Sequence, residues 1–283
     1  MKINLPKLGN IEVVSVAGRK TSVHVPSYGA AFDLGTCSNE IANNAHHVFL
    51  THGHLDHSAG VLEHFSARDL NGQNSTYYIP NSRKHVLNGL FETAMDLNGS
   101  NEEQGVVPKI YGAEAFMPVK LTNTVSIVPF PTEHRVDSCG YYSTRTKTVL
   151  KREFVGLSQK EIVATKSSGK EITETVSCVE FLYSGDTTMN GLLRHSAVLV
   201  SADYVAVECT YLGDSDSPET ARNRGHIHLD ELAEKAEELF EKTHTVVLMH
   251  FSAKYNRSRI LQEVERKFPS SIAKKVVCVT DSH

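Results

Sequence analysis

The stretch Thr51-His52-Gly53-His54-Leu55-Asp56-His57 constrains this chain more than any other. It sets four metal-capable side chains, His52, His54, Asp56 and His57, within six residues. The apolar run His47–Thr51 before it reads as a strand, and a helix start follows. A strand-to-helix turn can aim all four side chains at one small volume. Neutral imidazole and carboxylate are the donor set of Zn2+ and its neighbours. Burying such a group without a cation would leave polar atoms unpaired. Four donors split between two ions leave each ion short of ligands, so the remainder must come from elsewhere in the chain.

Three residues can complete the set. His134 follows the strand-like run Val125–Phe130, Asp186 follows Cys178–Ser184, and His250 follows Thr245–Met249. Each is a polar residue shortly after an apolar run, where strand ends would share one sheet edge.

Further strands are expected at Ile11–Val16, Thr21–Val25, Ala30–Leu34, Thr76–Pro80, Val198–Val207 and Lys275–Val279. A helix is expected over Asn81–Leu97, with Asn-Ser as its cap and Asn98-Gly99 as its end. Leu229, Leu232, Ala233, Ala236, Leu239 and Phe240 mark one helix face over about 229–242. Ile260, Val264 and Phe268 mark another. Strands come in runs, which disfavours a purely alternating parallel sheet and points to two sheets with helices outside.

Composition narrows the function classes. With 283 residues, 40% of them apolar, the chain can bury a core without staples. No run of 18 apolar residues offers a membrane span. The opening Met-Lys-Ile-Asn-Leu-Pro-Lys carries no apolar or Arg/Ser-rich leader, so no secretory or organelle signal is expected. Cys37, Cys139, Cys178, Cys209 and Cys278 are odd in number and lack a C-x-x-C, which suits a reducing compartment, cytoplasmic or nuclear. The formal net charge of −4 means that a nucleic acid would need a local basic patch. Segment 145–171 offers one. Its seven basic residues face three acidic ones, a balance of +4 that leaves −8 for the rest. Such a run is either a solvated excursion or an arm that touches a polyanion.

The ordered series H-x-H-x-D-H, His134, Gly185-Asp186-Thr187 and His250-Phe251-Ser252 resembles the metallo-β-lactamase superfamily over nearly the whole chain. Other motifs are more selective. They include Thr132-Glu133-His134 leading to Ser138-Cys139-Gly140-Tyr141, and Glu208 within Val207-Glu208-Cys209-Thr210. Arg224-Gly225-His226-Ile227-His228 opens a helix, and His250-Phe251-Ser252-Ala253-Lys254-Tyr255 closes the series. These are similar to the short form of ribonuclease Z, the tRNA 3′-processing endonuclease. Leu150–Ser158 and Gly169–Thr173 are similar to the arm of its plant-type members. The Gly-Pro-bearing hairpin of the common bacterial-type arm is missing between His134 and Asp186.

The resemblance implies an α/β fold, the metallo-β-lactamase αββα sandwich of two mixed β-sheets flanked by helices. It implies one domain over 1–283, with a basic substrate-binding arm at about 145–173. It implies two divalent metal ions, Zn2+ or else Mn2+ or Fe2+. His52, His54 and His134 match the first metal site, Asp56, His57 and His250 the second, and Asp186 the bridge. A metal-activated hydroxide would attack phosphorus, with Asp56 also accepting the nucleophile's proton. His226, paired with Glu208, matches the proton donor to the leaving nucleoside oxygen, since a carboxylate raises and orients an imidazole. His228, two residues on, is the competing candidate and otherwise an N-cap-region residue. Lys151, Arg152, Lys160, Lys166 and Lys170 would bind substrate. The implied partner is precursor tRNA, cut after the discriminator base, and the implied assembly is a homodimer in which one subunit's arm serves the other's active site.

Two other readings compete. A glyoxalase II-like thioesterase would need neither Glu208, His226 nor the basic segment. A non-catalytic RNA-binding homologue would be free to lose ligand positions, and here every one is filled. Asp33 is either a turn residue or an acceptor behind a ligating imidazole. His46 and His47 read as surface residues or as residues behind the site. His24, His64, His85, His195, His244 and His283 have no partner visible in sequence.

Overall fold

A computed structural model describes residues 1–99, 107–213 and 215–280. His283 lies outside the described residues.

Two seven-stranded mixed sheets are stacked face to face. The first contains β1 (Lys2–Leu5), β2 (Gly9–Val16), β3 (Lys20–Val25), β4 (Ala30–Leu34), β5 (His47–Phe49), β6 (Thr76–Pro80) and β7 (Lys109–Ala113), in that order. The second contains β8 (Val119–Lys120), β9 (Val125–Pro131), β10 (Cys139–Leu150), β11 (Thr173–Tyr183), β12 (Tyr204–Glu208), β13 (Thr245–Met249) and β14 (Val276–Cys278). Each sheet begins antiparallel and ends parallel. Alternation along the strands drives the stacking. Ile11 and Val13 of β2, with Val23 and Val25 of β3, face the other sheet. Phe32, Phe49, Tyr141, Phe181 and Tyr183 fill the middle, their neighbouring rings 5.3–6.0 Å apart.

Helices cover both outer faces. On the first sheet lie α1 (Asn39–Asn44), α2 (Leu55–Ser58), α3 (Val61–Leu70) and α4 (Lys84–Leu97). α5 (Gln159–Ser167) belongs to the basic segment. α6 (Met189–Leu193), α7 (Ser196–Leu199), α8 (Pro218–Asn223), α9 (Leu229–Glu234), α10 (Ala236–Phe240), α11 (Arg257–Lys267) and α12 (Ser270–Ala273) are associated with the second sheet. This is the expected αββα sandwich.

Three local expectations need correction. Val198–Val207 is not one strand: Ser196–Leu199 is helical and only Tyr204–Glu208 is extended. A short apolar run satisfies either period, and here Leu199 and Ala202 pack outward into the helical layer. The helix over 229–242 divides at Lys235, whose φ of −99° and ψ of 0° leave the α region. Asn81-Ser82 does not cap α4; it forms a 3-10 turn through Arg83, and Ser82 donates to Asp137 instead.

His64 of α3 carries a testable consequence of this packing. It is fully buried, donates from Nε2 to Ala45 O (3.0 Å) and accepts the Tyr77 hydroxyl at Nδ1 (2.8 Å). Burial pushes its pKa down to about 4. The unfolded chain takes up a proton near pH 6.5 and the folded chain resists it. Stability from this residue is therefore complete above about pH 6.5 and declines as pH falls toward 4, by about 3 kcal/mol. Urea midpoints between pH 7 and 4 should fall more steeply for the wild type than for His64→Gln; parallel slopes would contradict the assignment.

The basic segment is more ordered than a surface excursion. β10 and β11 pair from Tyr141↔Tyr183 to Leu150↔Thr173. β9 accompanies β10 only as far as Arg145, and β12 meets β11 only from Phe181. The rest of the ladder runs on as a two-stranded ribbon. At its tip are a 3-10 turn, Arg152–Phe154, and α5, which starts on a Ser158/Glu161 capping box. Its charge is partly spent locally. Arg145 pairs with Glu180 (2.6 Å), Lys151 with Glu171 (3.3 Å), and Lys170 with Glu153 (4.0 Å).

Candidate active site

β9, β11, β12 and β13 all run in one direction, so their C-terminal ends share an edge of the second sheet. His134, Asp186, Glu208 and His250 follow from or end those strands. The end of β5 brings His52 and the short helix α2 to the same place, with His54 at its N-cap position and Asp56 and His57 within it. Two turns are tightly fitted. Gly185 has φ of +58°, and a Cβ there would lie 2.7 Å from Thr51 Cγ2. His250 itself takes φ of 61°, a strained value for a non-glycine residue.

All seven expected donors converge. Donor atoms of His52, His54, His134 and Asp186 lie within 4.8 Å of one another, as do those of Asp56, His57 and His250. Asp186 faces both groups. Its Oδ2 is 3.8 Å from Nε2 of His52 and of His134, and its Oδ1 is 3.4 Å from Nε2 of His57 and of His250.

Four imidazoles are oriented from behind. His52 Nδ1 donates to Thr51 Oγ1 (2.9 Å), whose hydroxyl is itself donated to Asp33 (2.8 Å). His57 Nδ1 donates to Asp33 Oδ2 (2.7 Å), His134 Nδ1 to Gly225 O (2.8 Å), and His250 Nδ1 to Thr210 Oγ1 (2.9 Å). In each ring this turns Nε2 toward the centre as a lone pair. Asp33 is thus an acceptor behind a ligand-type histidine, fully buried, and not a surface turn residue. The main-chain N–H of Gly18 reaches Asp56 Oδ2 (2.7 Å) and fixes that carboxylate.

The donor set fits divalent cations. Nε2 of His57 lies 3.1 Å from Nε2 of His250, and Nε2 of His52 lies 2.9 Å from Nδ1 of His54. Two lone pairs do not approach this closely, so either a proton or a cation lies between the nitrogens. Asp33 and Asp186 are buried among histidines, hydroxyls and a main-chain amide. Burial pushes His52, His54 and His134 below the usual imidazole range. It works against the Asp186 carboxylate too, yet the charges of His250 and His57 hold that group well below its usual value. Against burial, Asp186 and Asp33 draw a proton onto His57. A cation supplies the charge that this proton supplies, and the clusters fit a dinuclear metal site.

His226 stands beside this centre. Its Nδ1 donates to Glu208 Oε1 (2.9 Å) and lies 3.9 Å from Asp186 Oδ2. Glu208 is buried and anchored by the amides of Thr187 (3.0 Å) and Thr210 (3.1 Å) and by the Thr210 hydroxyl (2.7 Å). Burial lowers the His226 pKa, but the charge and hydrogen bond of Glu208 outweigh it and raise it to about 9. His228 is elsewhere: it caps α9 by accepting from Asp230 N (3.2 Å) and donates to Gly213 O (3.3 Å).

The centre opens into a cleft of about 530 Å³ that Arg135, Tyr211 and Arg224 also line. Sequence reasoning missed Thr51 and Thr210 as orienting groups and Arg135 as a cleft residue. A second, mainly apolar cleft of about 360 Å³ adjoins it at His54, between Leu55, Ile79, Val86, Leu87 and Leu90, with Arg83 beside them. The five arm cations Lys151, Arg152, Lys160, Lys166 and Lys170 are not part of this edge. The ribbon departs from the opposite end of β10 and β11. His46 and His47 are also away from it, against Arg68 and against the Phe49 and Tyr78 rings.

No protein-family model matches the chain. Among curated proteins it is 33% identical over 272 residues to the tRNase Z TRZ1 of Arabidopsis thaliana, covering 95% of this chain and 94% of that one. Among solved structures, the metallo-β-lactamase fold protein YhfI of Bacillus subtilis superposes with a TM-score of 0.60 at 15% identity, over 95% and 94% of the two chains. The human short-form tRNase Z superposes at 0.58 and 17% identity, over 86% and 93%. The two structures share the fold, and the Arabidopsis protein shares sequence along its whole length: the chain belongs to the tRNase Z family.

Proposed function

We propose that the chain is a metal-dependent endoribonuclease that removes 3′ trailers from precursor tRNA. The observation that carries this reading is the Glu208–His226 pair beside the cation-type cluster. A thioester hydrolase would have no use for a protonated imidazole there, whereas a leaving nucleoside oxygen must be protonated.

His52, His54 and His134 would hold one cation and Asp56, His57 and His250 the other, with Asp186 between them. Zn2+ suits this set of nitrogen and oxygen donors best. When bound, the two cations supply Lewis-acid activation of water and stabilise charge on phosphoryl oxygens. The chain's residues do the rest. Asp56, held by Gly18, accepts the proton of the attacking water. His226 gives its proton to the leaving oxygen, and Glu208 keeps it protonated and aimed. Arg135 and Arg224 line the cleft and bind the flanking phosphates. The adjoining apolar cleft takes the base and ribose next to the cut. The five cysteines are all free, in keeping with a reducing compartment such as cytoplasm or nucleus. Among the described residues no helix is long and apolar enough to cross a membrane.

A 3′-extended precursor tRNA incubated with the Zn2+-loaded protein should be cut after the discriminator base, with a thioester as control. Thioester turnover without tRNA cleavage would refute the assignment.

The arm's place bears on assembly. Its outer end at Thr173, next to the tip, stands at the far end of β11 from Asp186, roughly 35 Å along an 11-residue strand. An arm pointing away from its own site serves best the site of a second copy, and we read the active form as a homodimer. Chains lacking 146–177 should cleave precursor poorly, and so should His226→Ala chains. Mixing and reassembling the two should restore cleavage, because the hybrid holds one intact site beside one intact arm. Failure to complement, with dimers still present, would place arm and site within one chain.

A further inference from the structure

His24 is the least explained polar side chain in the fold. It is fully buried, and neither ring nitrogen has a hydrogen-bond partner. Leaving an imidazole in that state is costly. Its surroundings are carboxylates. In the β2–β3 ladder Glu12 is directly opposite His24, and both point away from the inter-sheet core, toward the face that α1 covers. Glu40, in the first turn of α1, closes over them. A nitrogen of His24 and one oxygen each of Glu12 and Glu40 all lie within 4.8 Å of one another.

We propose that Glu12, His24 and Glu40 form a further binding site for a divalent cation, separate from the catalytic cluster, that clamps α1 onto β2 and β3. The site stands roughly 20 Å along β2 from the Gly18 contact to Asp56. Three donors, two anionic and one neutral, are what borderline cations such as Zn2+ take, with water completing the shell. Burial keeps His24 below the usual imidazole range against the pull of both carboxylates, so it is in its ligating, neutral form at pH 7. Glu40 is partly exposed, which leaves a way in for the ion. One cation of the chain competes for the place: Lys2, next to Glu12 in the β1–β2 register, holds Glu40 at 2.8 Å. Ser38, which caps α1, also donates to Glu12 (3.3 Å) and steadies that ligand.

Zn2+ titration of the metal-stripped full chain, followed by calorimetry and by elemental analysis after gel filtration, tests this. The wild type should bind an additional equivalent per chain relative to Glu40→Gln and to Glu12→Gln. Both variants should keep the catalytic cations and their circular dichroism. Lys2→Met should bind that extra ion more tightly, because it removes the competitor. Saturating Zn2+ should raise the melting temperature of the wild type by roughly 5 °C more than that of Glu40→Gln. Equal stoichiometry and equal thermal shifts in wild type and Glu40→Gln would overturn the proposal and leave water as the partner of His24. A Lys2→Met chain that merely loses stability, with no gain in Zn2+ affinity, would overturn it as well.

Discussion

An Asp186→Ala chain is expected to lose precursor cleavage by about 10⁴-fold, two electrostatic contributions of about 10² each, and to purify without its catalytic cations. Among the described residues no other donor faces both clusters through separate oxygens, with Oδ2 toward His52 and His134 and Oδ1 toward His57 and His250. Removing it leaves each cluster a ligand short and strips the centre of a buried negative charge. Asp186→Asn separates the two effects, because it keeps the shape and one acceptor while discarding the charge. It should retain more cation than alanine but cleave little better. The fold should survive both changes, since Asp186 follows β11 and lies outside its backbone ladder. Elemental analysis beside a cleavage assay checks this. A variant that kept both ions and full activity would remove Asp186 from the centre.

Much of this site was legible in the chain because its donors sit at punctuated places. His52, His54, Asp56 and His57 are adjacent in sequence, and His134, Asp186 and His250 follow apolar runs that became strands with ends on one edge. The groups that aim the imidazoles were not legible. Thr51, Thr210 and the carbonyl of Gly225 are commonplace, and only the topology carries them behind His52, His250 and His134. The same applies to the ribbon. Both faces of the outer half of β10 meet solvent, so Thr146–Leu150 shows no apolar alternation for a strand to be read from. The pairing of Glu12 with His24 depends on the β2–β3 register, and the cover over them on where α1 folds back; neither is written in local sequence.

His226→Ala is expected to lower the rate of precursor cleavage by 10²- to 10⁴-fold, roughly the range of a lost general acid, while the cations stay bound. His226 belongs to a group with Asp186 and His250 in space, so a loss of activity alone would fit a ligand as well as an acid. The leaving group separates the two roles. A nucleoside alkoxide needs a proton, whereas a nitrophenolate leaves without one. An acid's removal should therefore cripple tRNA cleavage and barely touch hydrolysis of bis(p-nitrophenyl) phosphate, while a ligand's removal should cripple both. Glu208→Gln should follow the same pattern more weakly, because the amide still positions the ring but no longer raises its proton affinity. Equal loss on both substrates, accompanied by loss of metal, would make His226 a ligand and leave the leaving oxygen without its proton donor.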